Sequence, residues 1–175
     1  MNANYLLAID NGTQSVRVLV FDTTGREVAV SKVDIEPYFS RHPGWAEQHA
    51  EYYWEKLQQA FAALWAQNRV KPEQIAGLTL TTQRYTMINL DEHFRPLRPA
   101  IVWMDQRQAT VERPVGGLWG VLIKTLGLSS LIRDLRAKAR DNWLQQYEPD
   151  IWAQTRYYVN LSAWLTYCLT GALKD

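Results

Sequence analysis

The segment Asp10-Asn11-Gly12-Thr13-Gln14-Ser15-Val16-Arg17 gathers side chains of the kinds that handle phosphate. Asp10 closes a short apolar run from Tyr5 to Ile9, so its carboxylate is expected at the end of a buried strand, where a metal ion can reach it. Gly12 lets the backbone come close to an anion, with neighbouring N–H groups turned inward as a nest. Thr13 and Ser15 add hydroxyl donors. Arg17 shares strand parity with Ser15, so the two side chains leave the same face, and a guanidinium there can neutralise phosphate charge. A carboxylate for Mg²⁺, a tight glycine turn, hydroxyls and an arginine together suit the β- and γ-phosphates of a nucleotide. Taken alone, the same residues also satisfy a plain hairpin turn. The sequence G-x-x-x-x-G-K-[ST] occurs nowhere, so this is not a Walker loop.

The elements around the turn follow from pattern. Apolar runs at Tyr5 to Ile9 and Val16 to Phe21 flank Asn11-Gly12, whose tolerance of positive φ signals a hairpin. Thr24-Gly25 turns the chain again. Glu27 to Ile35 alternates, with Val28, Val30 and Val33 as expected inward residues. Residues 36–49 hold two prolines and a glycine and read as a loop. A helix is expected over 50–68, with Trp54, Leu57, Phe61, Leu64 and Trp65 on one face. Ile75 to Thr82 reads as a fourth strand, with Leu78 and Leu80 on one face. Thr86 to Leu90 and Ala100 to Trp103 read as two short strands around a polar turn. Helices are expected over 118–126, 129–146 and 156–169, with Gly171 as the last C-cap. The fold class is therefore α/β, in the order β-β-β-α-β, with a small strand insert and C-terminal helices. The helical crossover to the fourth strand makes the sheet mixed.

Composition narrows the function. The 175 residues fit one domain or part of a larger one, and 47% hydrophobic content supplies a core. A formal net charge of +1 gives no global field toward nucleic acid or an anionic membrane. The start MNANYLLAIDNG is not a signal peptide, and no apolar run approaches the ~20 residues of a membrane helix, so a cytoplasmic protein is expected. Cys168, the one cysteine, excludes an intrachain disulfide and reads as a packing thiol. His42, His49 and His93 lack partners at metal-ligand spacing.

Four stretches together carry a family resemblance: AIDNGTQSVRVLVFD, HPGWAEQHAEYYW, GLTLTTQRYTMINLDEHFRPLRPAIVWMDQR and LSAWLTYCLTG. The first resembles the opening phosphate motif of the actin, hexokinase and Hsp70 superfamily. All four, in order, resemble the FGGY carbohydrate kinases. The resemblance implies a ribonuclease H-like (actin-like ATPase) domain, and ATP-dependent phosphorylation of a sugar or polyol hydroxyl with ATP and Mg²⁺ as cofactors. It implies that Asp10 approaches the metal. Gly12, Thr13, Gln14, Ser15 and Arg17 would line the phosphate site. Arg84 and Tyr85, with Trp103, Asp105 and Arg107, would contact the sugar. An aromatic face suits a sugar's C–H surface, and carboxylate and guanidinium groups suit its hydroxyls. Read without the family, Trp103 is core, Asp105 a helix N-cap and Arg107 a surface residue. Gly44, Trp45 and Glu47 read as structural.

Three departures matter. Family members acting on glycerol carry Glu after the arginine where this chain has Tyr85, which points away from glycerol; the Met-His pair of xylulose-specific members is replaced by Gln83-Arg84. The family's catalytic base and adenosine-binding segments lie beyond the Leu-Thr-Gly helix, whereas this sequence stops at Asp175. Residues 1–175 are thus expected to be the N-terminal portion of the first kinase domain, incomplete, without the base or the second, ATP-binding domain. Such a piece is expected to lack turnover and to self-associate through uncovered surface. A non-catalytic sugar- or protein-binding remnant is the alternative. A ribonuclease H-like nuclease shares the element order, but the fourth strand ends Thr81-Thr82-Gln83 without the further acid that two-metal chemistry needs.

Overall fold

A computed structural model describes residues 4–112 and 114–174. Three antiparallel strands open the chain: β1 (Tyr5–Asn11), β2 (Ser15–Asp22) and β3 (Glu27–Asp34). The helix α1 (Ala50–Trp65) then crosses to β5 (Ile75–Thr82), which lies parallel to β1. The sheet order is β3-β2-β1-β5, so the sheet is mixed, as the crossover requires.

A second, smaller sheet has the order β4-β7-β6-β8, built from β4 (Glu47–Gln48), β6 (Met87–Leu90), β7 (Ala100–Ile101) and β8 (Tyr157–Asn160). Helices α2 (Gly117–Thr125), α3 (Ser129–Lys138), α4 (Arg140–Tyr147) and α5 (Pro149–Gln154) lead into β8. The last helix, α6 (Leu161–Thr170), ends at Gly171 in the left-handed conformation, as the sequence predicts. No helix among the described residues is long and apolar enough to cross a membrane.

The main core forms where α1 covers β2 and β3. Leu7, Ile9, Val16, Val18 and Val20 face Tyr53, Leu57, Ala60 and Leu64 there. Burying a side chain of Leu or Val size contributes about 1.5–3 kcal/mol, so this contact anchors the sheet. The α1 face is centred on Tyr53, Leu57 and Ala60, while Trp54, Phe61 and Trp65 are only partly buried. On β3 the inward residues are Ala29 and Ser31, and Val30 faces out, because the register pairs Val20 with Ala29 and Val18 with Ser31. The Ser31 hydroxyl donates to the Ala60 carbonyl at 2.7 Å, which makes its burial tolerable.

Three further expectations are corrected. The loop at 36–49 contains strand β4, held by pairing of Glu47 with Ile101 and Gln48 with Ala100, partners that local pattern does not reveal. Residues 157–160 pair with β6 as a strand before α6 begins. The expected helix at 129–146 breaks at the extended Ala139, giving α3 and α4. Helices α2 and α3 leave Leu118, Trp119, Val121, Leu126, Leu131 and Leu135 exposed.

Candidate functional site

The β1–β2 turn forms without the left-handed geometry that Asn-Gly suggests. Asn11 is a buried strand residue paired with Val16, and neither it nor Gly12 has positive φ. The Gly12 N–H donates to the Ser15 carbonyl at 3.0 Å and closes the loop. A Cβ at Gly12 would meet only that carbonyl oxygen, at 3.5 Å, so the turn does not need glycine for its own geometry. Asp10 and Arg17 sit directly across the two strands, and Arg17 Nη2 donates to Asp10 Oδ2 at 2.5 Å. Both side chains are partly solvent-exposed.

The second wall is made where the chain leaves the main sheet for the smaller one. After β5, the Gln83 N–H donates to the Asn11 carbonyl at 2.8 Å, and its side-chain amide donates to the Tyr53 hydroxyl at 2.9 Å. These bonds tie the end of β5 to the hairpin and to α1. Arg84 and Tyr85 then turn outward before Met87 enters β6; Tyr85 takes a left-handed φ of 60°. Such a conformation costs a non-glycine residue on the order of 1 kcal/mol and persists only where its surroundings impose it.

Arg140 is the group that imposes it. This side chain, 4% exposed, leaves the first turn of α4 and donates to the Tyr85 carbonyl and to the Val102 carbonyl, the latter at 2.8 Å. Its guanidinium carbon lies 4.1 Å from the centre of the Tyr85 ring. Burial holds its pKa below the usual arginine value, opposed by Tyr85 and Asp105. The sequence reading missed Arg140. The available signal was a basic residue opening a helix, where the dipole disfavours it.

Trp103 follows β7 and closes the cleft. Its indole Nε1 donates to the Thr13 hydroxyl at 3.1 Å, joining two segments 90 residues apart. Thr13, Gln83, Arg84, Tyr85 and Trp103 together line an open cleft of about 390 Å³. Tyr85 and Trp103 are 50% and 49% exposed, so neither ring is core. Gln14 and Ser15 stand on the same turn outside this lining.

Asp105 and Arg107 are placed elsewhere. The Asp105 carboxylate accepts from the Ala46 N–H at 2.7 Å, from the Arg107 N–H at 3.0 Å, and from Arg107 Nε and Nη2 at 2.8 and 2.7 Å. It caps no helix; it closes a local turn onto its own neighbour. The Arg107 side chain is 1% exposed. It lies between the rings of Trp45 and Trp143, 3.9 and 4.6 Å from their centres, and also pairs with Glu47. Arg98 bridges Glu47 and Glu148. Arg107 is therefore not a surface residue, and Trp45 stacks on it. Among the described residues no group of three or more His, Cys, Asp or Glu is placed to hold a metal. Burial pushes the Cys168 thiol up to about 11, which suits packing and not nucleophilic chemistry.

The N-terminal domain of the FGGY family of carbohydrate kinases matches residues 5–174. Glycerol kinase 1 of Lactiplantibacillus plantarum is 32% identical over 180 aligned residues, covering 98% of this chain and 35% of that protein. The glycerol kinase of Brevibacillus brevis is 36% identical over 112 residues, 63% of this chain and 22% of that protein. A xyloylose kinase structure from Brucella ovis superposes with a TM-score of 0.76 at 25% identity, over 95% of this chain and 34% of that one. The chain thus spans roughly a third or less of the length of the relatives it matches.

Proposed function

The chain belongs to the FGGY family of carbohydrate kinases, with their actin-like ATPase fold, and from that premise we propose that it contributes a phosphate turn and one wall of a sugar cleft to ATP-dependent phosphorylation of a sugar or polyol. The observation that carries this reading is the Trp103–Thr13 hydrogen bond, which joins Trp103, read here as part of the sugar wall, to the turn that would hold the phosphoryl donor. Catalysis of phosphoryl transfer is largely positioning and charge stabilisation, so that adjacency is what the reaction needs.

In this reading Gly12, Thr13, Gln14, Ser15 and Arg17 hold phosphate oxygens, and Arg84, Tyr85 and Trp103 hold the acceptor. Asp105 and Arg107 support the wall from behind, since the two side chains are buried and bonded to each other. The fit to Mg²⁺ is good: this ion takes one or two carboxylates and completes its shell with water and phosphate, and Asp10 commits Oδ2 to Arg17 while remaining partly exposed. When bound, the ion would neutralise charge on the transferring phosphoryl group. Arg17 would then turn from Asp10 to phosphate, and Tyr85 and Trp103 would exclude water from the acceptor.

No carboxylate is among the residues lining the cleft, and in this reading the general base is not one of them. The domain assignment that follows is the N-terminal portion of kinase domain I, with residues 1–175 alone giving no turnover. Two measurements test the proposal. Calorimetry of the chain with Mg²⁺·ATP should show binding that Arg17→Gln and Gly12→Ala abolish while the melting temperature holds; equal binding by the variants refutes the phosphate turn. A coupled ADP-release assay over a sugar panel should stay flat, and sugar-dependent release overturns the assignment of no turnover.

A further inference from the structure

Helices α2 and α3 bury no side chain of their own, and neither contributes to the two hydrophobic clusters. They are joined at Leu126-Gly127-Leu128, where Gly127 takes a φ of 69° and the Leu128 N–H donates to the Ile123 carbonyl at 3.0 Å. Gly120, Ile123 and Ile132 border a groove of about 430 Å³ between them. The other apolar residues stand in water at helical spacing. On α2 and its C-cap these are Leu118, Leu122 and Leu126, with Trp119 and Val121; at the start of α3 and along it they are Leu128, Leu131 and Leu135. Leu118 is 90% exposed and Trp119 71%. Single exposed leucines are ordinary, but this concentration in one hairpin marks a binding surface.

The charges on the hairpin show what it would bind. Its exposed charged residues are Lys124, Arg133 and Lys138 against Asp134 alone. The whole chain carries only +1, so this cationic excess is local and the overall balance hides it. A second copy docked face to face would set cations against cations, with one carboxylate on each side to offset them. An anionic lipid surface suits both halves of the pattern. Leucines enter the boundary of the acyl chains, a tryptophan ring sits at headgroup level, and lysines reach the phosphates along their apolar stems. Neither helix is long and apolar enough to cross a bilayer, so the hairpin would lie on it.

We propose that the α2–α3 hairpin docks the chain on an anionic membrane surface, with Leu118 and Trp119 inserted and Lys124 and Lys138 against the headgroups. No residue lining the cleft belongs to either helix, so docking leaves the cleft free and does not depend on what it binds.

Flotation of the 175-residue chain with lipid vesicles tests this. Binding to mixed phosphatidylcholine and phosphatidylglycerol vesicles should be roughly tenfold or more tighter than to phosphatidylcholine alone, and should weaken with added salt. The double change Leu118→Ser and Trp119→Ser, at two exposed positions, should abolish vesicle binding while the melting temperature holds. Lys124→Gln with Lys138→Gln should lower affinity for the anionic vesicles by roughly tenfold or more. Absence of vesicle binding overturns the proposal, and so does binding that the Leu118 and Trp119 changes leave intact. Equal binding to neutral and anionic vesicles overturns the anionic assignment. Self-association in size-exclusion chromatography that the same double change removes, without vesicle binding, gives the face to a second copy and overturns the membrane as its partner.

Discussion

Two arginine-bearing regions lie on either side of the segment from Ala100 to Arg107, and the same residue types do opposite work in them. In the cleft, Arg84, Tyr85 and Trp103 are exposed, and the Arg84 guanidinium and Tyr85 hydroxyl retain unused hydrogen-bonding capacity. In the buried cluster, Arg107 is enclosed by Trp45 and Trp143 and saturates Asp105, while Glu47 is shared with Arg98. Asp, Arg and Trp within five positions resemble a sugar site in the sequence. The distinction between them lies in access: Asp105 and Arg107 are bonded to each other and closed off from solvent, while the cleft side chains face it. Arg140 connects the two regions, since it grips the backbone of Tyr85 on one side and of Ile101 and Val102 on the other.

The contrast breaks most sharply at Arg107. Replacing it with Ala leaves Asp105 and Glu47 buried with less compensation, and the expected loss is about 3–5 kcal/mol, read by urea denaturation. A fully stable Arg107→Ala chain with impaired sugar binding would place Arg107 on the ligand side of the comparison. Arg140→Gln is expected to cost less, about 1–3 kcal/mol, because carbonyls rather than carboxylates lose their partner. Its distinguishing sign is local: backbone NMR shifts at Tyr85 and Val102 should move together, with Arg140→Lys restoring part of the change. The smallest effect belongs to Thr13→Val, which removes the acceptor of the Trp103 indole. Stability should fall by about 1 kcal/mol or less, while the near-ultraviolet circular dichroism of Trp103 changes as its ring is released. An unchanged spectrum would mean that the turn and the Trp103 segment are not coupled through this bond.

The opening hairpin, the helical crossover and the mixed sheet were legible in the sequence because each depends on local alternation or helical period. Strand β8 was not, since Tyr157–Asn160 continues the apolar pattern of α6 and becomes a strand only by pairing with Met87–Leu90. The inward face of β3 was misread at Val30 because hydrophobicity alone does not set register; pairing with β2 does.

By itself, the order of residue types brings a carboxylate, hydroxyls and an arginine together over Asp10–Arg17 and sets an arginine–aromatic pair downstream, since spacing along strands determines which side chains leave together. Only the tertiary structure decides that Trp103 reaches Thr13, that Asp105 and Arg107 consume each other, and that Arg140 holds Tyr85 from behind. These are contacts between segments far apart in the chain. Their donors and acceptors are assigned when the two sheets dock, and no local pattern records that assignment.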